Sequence, residues 1–218
     1  MSNRENFLAI LGLFSSASAV IPLLIWLLKY KDTNLLFKPI LTLVITNFAV
    51  EFYSVVTVIN FELNNMAVFH FFTVIEFLLI NFFYRNFFAK FLNPNIFLVI
   101  GFVFILIAFI DYEINGLKSL NNFSVIIECL ILTTYSLVLF YFVIKNLQYE
   151  NLLDEPVFWI NSAVLFYFAG NLLFFTFINY VLAENREEHN FLWSTTHTFF
   201  NITYNVFLAI SIWKARRK

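Results

Sequence analysis

Only one cysteine, Cys129, occurs in the 218 residues, so no intrachain disulfide can form and no multi-cysteine metal site is available. Glycine is nearly as sparse, with four residues in all. None of them belongs to a Gly-x-x-x-Gly pair, a P-loop or a dinucleotide-binding fingerprint. Charged residues make up 12% of the chain, about half the share ordinary for a soluble domain. The net charge is −1, and the cations are sorted by side rather than massed, so nothing points to a nucleic-acid partner. No lysine precedes Lys214 in the last apolar stretch, which removes a retinal Schiff base.

What fills the chain is apolar. Hydrophobic residues are 61% of it, 32 of them phenylalanine, and the mean hydropathy is +0.81. A chain of this kind, with no polar stretch longer than a loop, belongs in a lipid bilayer. The pattern predicts an all-α fold: one domain over residues 1–218 with seven transmembrane spans. They are expected at about 7–28, 39–59, 66–88, 93–110, 123–144, 156–182 and 191–213. Ala17-Ser18-Ala19 resembles a signal-peptidase site, but apolar sequence runs on through Trp26 and Leu28, so the first span is expected to stay uncleaved. Pro39 sits in the first turn of span 2, where its missing N–H costs nothing. Asn93-Pro94-Asn95 interrupts the helical pattern before span 4, and Asp111–Asn122 reads as an acidic-leaning loop.

Ten of the thirteen basic residues fall on one side of this layout: Lys29, Lys31, Lys38, Arg85, Lys90, Lys145, Lys214, Arg216, Arg217 and Lys218. Arg4, Lys118 and Arg186 fall on the other. Basic loops stay in the cytoplasm, so the N-terminus is predicted outside and the C-terminus inside. Comparison of spans 1–3 with spans 5–7 yields no convincing repeat of the kind that builds many transporters.

Depth within the membrane separates the polar residues better than any motif. In span 2, Asn47, Glu51 and Ser54 share a face. In span 3, His70, Thr73 and Glu76 cover one arc, and in span 5 Ser124, Glu128 and Tyr135 line up. Span 6 aligns Tyr167 with Asn171, and span 7 carries a stripe of Ser194, His197, Asn201 and Asn205. A carboxyl group at such depth costs about 2.5–3.5 kcal/mol on insertion scales. The three glutamates are therefore expected to be protonated or paired with His70 or His197. Glu51, His70, Glu76, Glu128, Tyr167, Asn171, His197 and Asn201 make up the expected ligand-binding set, facing the outer side.

Carboxyls, amides and aromatic rings in an outward-facing pocket suit a small cationic or polyhydroxylated ligand. The leading expectation is a receptor or sensor. With no cytoplasmic domain in this sequence, it would pass its signal to a cytoplasmic partner through the basic tail or the Lys145–Glu155 loop. Proton-coupled transport over Glu51, Glu76 and Glu128 is the first alternative. A zinc-dependent intramembrane hydrolase is the second, with His70, His197 and Glu76 as ligands and an open position for water. It resembles the ceramidase-like hydrolases in having seven helices and a histidine in the last, but lacks that family's third membrane histidine. An enzyme is thus the lesser expectation. No cofactor is expected, since the scarcity of glycine leaves little room for a haem between His70 and His197.

Several features occur together: Glu76 in span 3, Glu128 in span 5 and the Pro156-Val157-Phe158-Trp159-Ile160-Asn161 entry to span 6. Tyr167-Phe168-Ala169-Gly170-Asn171 and the stretch from Asn201 to Trp213 complete the set. In these the chain resembles a family of small seven-helix integral membrane proteins of bacteria. The resemblance implies the fold and a bacterial cytoplasmic (inner) membrane location. No activity is attached to it.

Overall fold

The computed structural model describes residues 3–29, 37–61, 65–89, 91–119, 121–146, 151–184 and 186–215. Among them there is no strand. The helices are α1 (Asn3–Ser18), α2 (Val20–Lys29), α3 (Lys38–Phe61), α4 (Met66–Phe88), α5 (Asn95–Asn115), α6 (Asn122–Asn146), α7 (Pro156–Glu184) and α8 (Arg186–Lys214). A single 3₁₀ turn, Leu152–Asp154, precedes α7. Lys31, Lys90, Arg216 to Lys218 and part of the Lys145–Glu155 loop lie outside the described residues.

Among the described residues, six stretches are long and apolar enough to cross a membrane: Ile10–Lys29, Lys38–Thr57, Met66–Phe88, Asn95–Asn115, Asn122–Lys145 and Pro156–Thr176. The first runs through the break between α1 and α2. Pro22 lies buried just beyond that break, and its missing N–H leaves the Ser18 carbonyl without its helical donor. The chain tightens there, with the Ala19 N–H on the Ser16 carbonyl at 3.2 Å and the Ser18 hydroxyl on the Ser15 carbonyl at 2.6 Å.

The helices close into a ring. α1 and α2 pack between α8 and α3, α8 lies along α7, and α7 along α6. α4 touches α3, α5 and α6, and its buried residues include His70, Thr73, Phe77, Ile80, Tyr84 and Phe88, the three-and-four spacing of a helix buried on one face. α5 packs against α4 and α6. It buries Phe97, Gly101, Phe104 and Asp111 and exposes Leu98, Val99, Phe102, Leu106 and Phe109, among others. Rings fill the interior, with Phe77 stacked on Phe104 at 3.8 Å and Tyr84 tilted against Tyr135 at 5.3 Å. The apolar exterior and polar interior suit a bundle surrounded by lipid, where internal hydrogen bonds replace those to water.

Contacts gather helix ends into two groups. At the Lys-rich end, Lys29 Nζ lies 4.1 Å from the Trp213 ring centroid, and Lys214 pairs with Asp154 at 2.8 Å. At the opposite end, Arg4 stands over the Phe191 ring at 4.7 Å.

Several boundaries differ from the sequence expectation. α5 continues past residue 110 to Asn115, so Asp111 is helical rather than the start of a loop. Its carboxylate is buried and accepts from the backbone N–H and the hydroxyl of Ser124 at 2.8 and 2.7 Å, capping the first turn of α6. α7 reaches Glu184 and α8 starts at Arg186, so most of the charged stretch expected as a loop is helix. Glu and Arg are good helix formers, and nothing in that stretch breaks the pattern.

Candidate functional site

The break in the first span brings three serines to the bundle interior, and α8 meets them with its asparagines. Asn201 Nδ2 donates to Ser15 Oγ at 2.9 Å and to Glu51 Oε1 at 3.1 Å. The Ser16 hydroxyl donates to the other Glu51 oxygen at 2.7 Å. One turn on, Asn205 Nδ2 donates to Ser18 Oγ at 2.9 Å and to Asn201 Oδ1 at 3.3 Å, while Asn47 Nδ2 donates to Asn205 Oδ1 at 3.2 Å. This network joins α1, α3 and α8. Asn201 and Asn205 are buried, and Glu51 is half-buried.

Beside it lies a second group built on α4, α6, α7 and α8. The Tyr204 hydroxyl donates to Glu76 Oε1 over a long 3.5 Å. The Tyr167 ring packs 4.7 Å from that of Tyr204 and 6.5 Å from the His197 ring. Tyr167 is within electrostatic reach of Glu51, Glu76 and Glu128. Glu76 is similarly close to Glu51 and to Glu128, and His197 to Glu51. Asn171, a turn beyond Tyr167 on α7, donates its Nδ2 to the Tyr167 carbonyl at 2.8 Å.

Seven of the eight expected residues thus share one polar core: Glu51, Glu76, Glu128, Tyr167, Asn171, His197 and Asn201. His70 is turned elsewhere. Its Nε2 lies 3.0 Å from the Ser119 carbonyl, and nearby Asn121 donates to Thr73 at 2.8 Å. These contacts fasten the connection between α5 and α6 onto α4. A residue one turn from the end of a helix reaches a neighbouring loop more readily than the bundle centre.

Two acceptor atoms of the core lack a donor. Glu128 Oε1 and Asn171 Oδ1 are buried with no hydrogen-bond partner, and an unsatisfied buried acceptor costs about 1–3 kcal/mol. No Lys or Arg follows Lys38 in α3, precedes Arg85 in α4 or Lys145 in α6, or occurs anywhere in α7. Among the described residues, no three His, Cys, Asp or Glu side chains converge as a metal site would require. His70, Glu76 and His197 form no such group.

A third set of polar contacts, nearer the Lys-rich end, is fully paired. Tyr84 Oη donates to Asn161 Oδ1 at 2.7 Å, and Asn161 and Ser136 bridge α7 to α6 through each other's carbonyls at 3.0 and 2.9 Å. Tyr135 Oη donates to Asn81 Oδ1 at 3.0 Å, and Asn81 Nδ2 to the Phe97 carbonyl at 2.9 Å. These bonds hold helices together and leave little capacity for a ligand.

Sequence reasoning passed over Ser15, Ser16 and Ser18. Their signal is a cluster of hydroxyls one turn before Pro22, which frees a helical carbonyl and gives the serines both a bend and a local partner. Asp111 was assigned to a loop, and its separation of 13 residues from Ser124 gives no local sign of the cap. Set against family models, curated proteins and solved structures, the chain matches none of them, and the functional reading rests on the geometry of this core.

Proposed function

We propose that the bundle is a membrane receptor whose polar core takes a small ligand bearing a cationic or hydrogen-bond-donating group. The observation that carries this reading is the mismatch at Glu128 and Asn171: buried acceptor atoms without donors. An ammonium or a set of hydroxyls would supply those donors. Glu76 and Glu51 would add carboxyl oxygens, and the rings of Tyr167 and Tyr204 an aromatic wall.

The proposal includes a seventh span. α8 has 29 residues, about 43 Å at 1.5 Å per residue, against a hydrocarbon thickness of about 30 Å. Its mean hydropathy is lowered by the stripe of Thr198, Asn201, Tyr204 and Asn205, all buried, so lipid need not meet those groups. Basic residues concentrated at one end support an N-terminus outside and a C-terminus inside, in a bacterial inner membrane. Ligand entry would then be from the outer side, and a cytoplasmic partner would read the Lys-rich end.

The test is a thermal-stability screen of the purified protein in mild detergent against amines, polyamines and polyols. A ligand at this site raises the melting temperature of the wild type but not of Glu128→Gln or Asn171→Ala. Equal stabilisation of all three proteins would remove the core from the binding site. A second reading, cation-coupled transport, is supported by the position of Glu76 on α4 within electrostatic reach of both Glu51 on α3 and Glu128 on α6. It requires flux driven by a pH gradient in liposomes that disappears in Glu76→Gln, and undiminished flux in that variant would discard it.

A further inference from the structure

Away from the polar core, α3, α4 and α5 enclose a groove of about 590 Å³ on the flank of the bundle. Leu78 and Phe82 of α4 line it with Leu98, Phe102 and Ile105 of α5, and of these Phe82, Leu98, Phe102 and Ile105 remain exposed. At one end stand two cations, Lys38 and Arg85. Lys38 opens α3 and Arg85 lies in the last turn of α4, so both belong to the Lys-rich end. Neither has a carboxylate partner among the described residues. Arg85 Nε is buried with no hydrogen-bond partner, and its guanidinium carbon lies 5.5 Å from the centroid of the Phe82 ring.

The dimensions match a lipid tail. Ile105 lies ten residues into α5 from Asn95, and Leu78 ten residues from the end of α4 at Phe88. The groove therefore runs about 15 Å inward from the charged end, the depth of one leaflet of a hydrocarbon core about 30 Å thick. Gly101 lets the two helices approach, since a Cβ there would lie 3.3 Å from Asn81 Nδ2 and from Leu78 Cδ2. Asn81 is already engaged on both sides, by Tyr135 and by the Phe97 carbonyl, so the groove offers polar recognition only at its mouth.

From this arrangement we infer that the groove holds an acyl chain of an anionic phospholipid, with the lipid phosphate on Arg85 and Lys38. The planar guanidinium has terminal N–H groups that form a fork suited to two phosphate oxygens, and the Lys38 ammonium adds a second charge. The N-terminus of α3 contributes a positive dipole at the same place. Basic sites between helices at a membrane interface select anionic head groups for these reasons. A water-soluble anion would leave the apolar wall unused.

The test is native mass spectrometry of the full chain, released from detergent after incubation with dioleoyl phosphatidylglycerol or dioleoyl phosphatidylcholine. Retention of phosphatidylglycerol should exceed that of phosphatidylcholine by on the order of tenfold. The Lys38→Gln, Arg85→Gln double variant should lose that preference. Lys145→Gln, at the same end of the bundle but outside the groove, should keep it. Leu98→Trp, which fills the groove from its exposed side, should reduce retention of both lipids, and inorganic phosphate should fail to displace phosphatidylglycerol. Equal retention of the two lipids, an unaltered preference in the double variant, or displacement by phosphate would each overturn the assignment.

Discussion

Replacing Asn201 by alanine removes three hydrogen bonds at once: those to Ser15 Oγ, to Glu51 Oε1 and from Asn205 Nδ2. Interhelical hydrogen bonds inside a membrane contribute about 0.6 kcal/mol each on average, which gives about 2 kcal/mol for the three. Glu51 keeps Ser16 on its other oxygen, so its carboxyl is not left bare. Losing the side chain from a buried site adds a small cavity term, bringing the expected loss to about 2–3 kcal/mol. The assay is reversible unfolding in mixed micelles by titration with a denaturing detergent, with Thr203→Ala as the comparison. The Thr203 hydroxyl bonds only to the carbonyl of its own helix at Phe199, so its loss should cost under about 0.5 kcal/mol. A double-mutant cycle between Asn201→Ala and Ser15→Ala should show a coupling of about 0.6 kcal/mol. An Asn201→Ala protein as stable as Thr203→Ala, or a cycle with no coupling, would refute the account of the network that binds α1 and α3 to α8.

Three other outcomes follow from single contacts. A Cβ at Gly170 would collide with the ring of Phe200 on α8, itself packed between Phe166 and Phe199. Gly170→Ala should therefore destabilise the bundle by about 1–3 kcal/mol in the same unfolding assay, and Gly170→Ala with Phe200→Leu should recover part of it. Asp111→Ala removes the cap from α6 and should cost about 1–2 kcal/mol, with faster hydrogen exchange confined to the first turn of α6. The Lys214 ammonium beside exposed Asp154 holds its carboxyl below the ordinary value of 3.8. Because the folded value is depressed, the contact stabilises the protein at pH values above that ordinary value and is lost as pH falls through the folded value. The difference between wild type and Asp154→Asn should accordingly be small but present at neutral pH, and vanish in acid melts.

The six apolar stretches were legible in the sequence because each presents about twenty residues that water would exclude, and α4 begins and ends where the hydropathy does. The ends of α5, α7 and α8 were not. Charged residues such as Asp111, Glu184 and Arg186 mark where an apolar run stops, while a helix continues for as long as its backbone bonds and caps permit. The clustering of Glu51, Glu76, Glu128, Tyr167, Asn171, His197 and Asn201 was readable from depth and helical face, since a polar group in the membrane interior turns to its neighbours on other helices. His70 satisfies the same criterion of face and yet caps a loop, because facing inward does not distinguish the bundle centre from the end of an adjacent helix pair. The serines of the first span were hidden by context: small residues near an N-terminus suggest cleavage before they suggest a hydrogen-bonding bend.

The central claim is that a ligand meets the buried acceptors of the polar core, and infrared difference spectroscopy of ligand binding tests it at the level of one carboxyl group. Adding a ligand that stabilises the protein should change a carboxyl band that is absent from the difference spectrum of Glu128→Gln and retained in that of Glu113→Gln, whose side chain is exposed on α5. Identical difference spectra from wild type and Glu128→Gln would contradict the account and place the ligand elsewhere on the molecule.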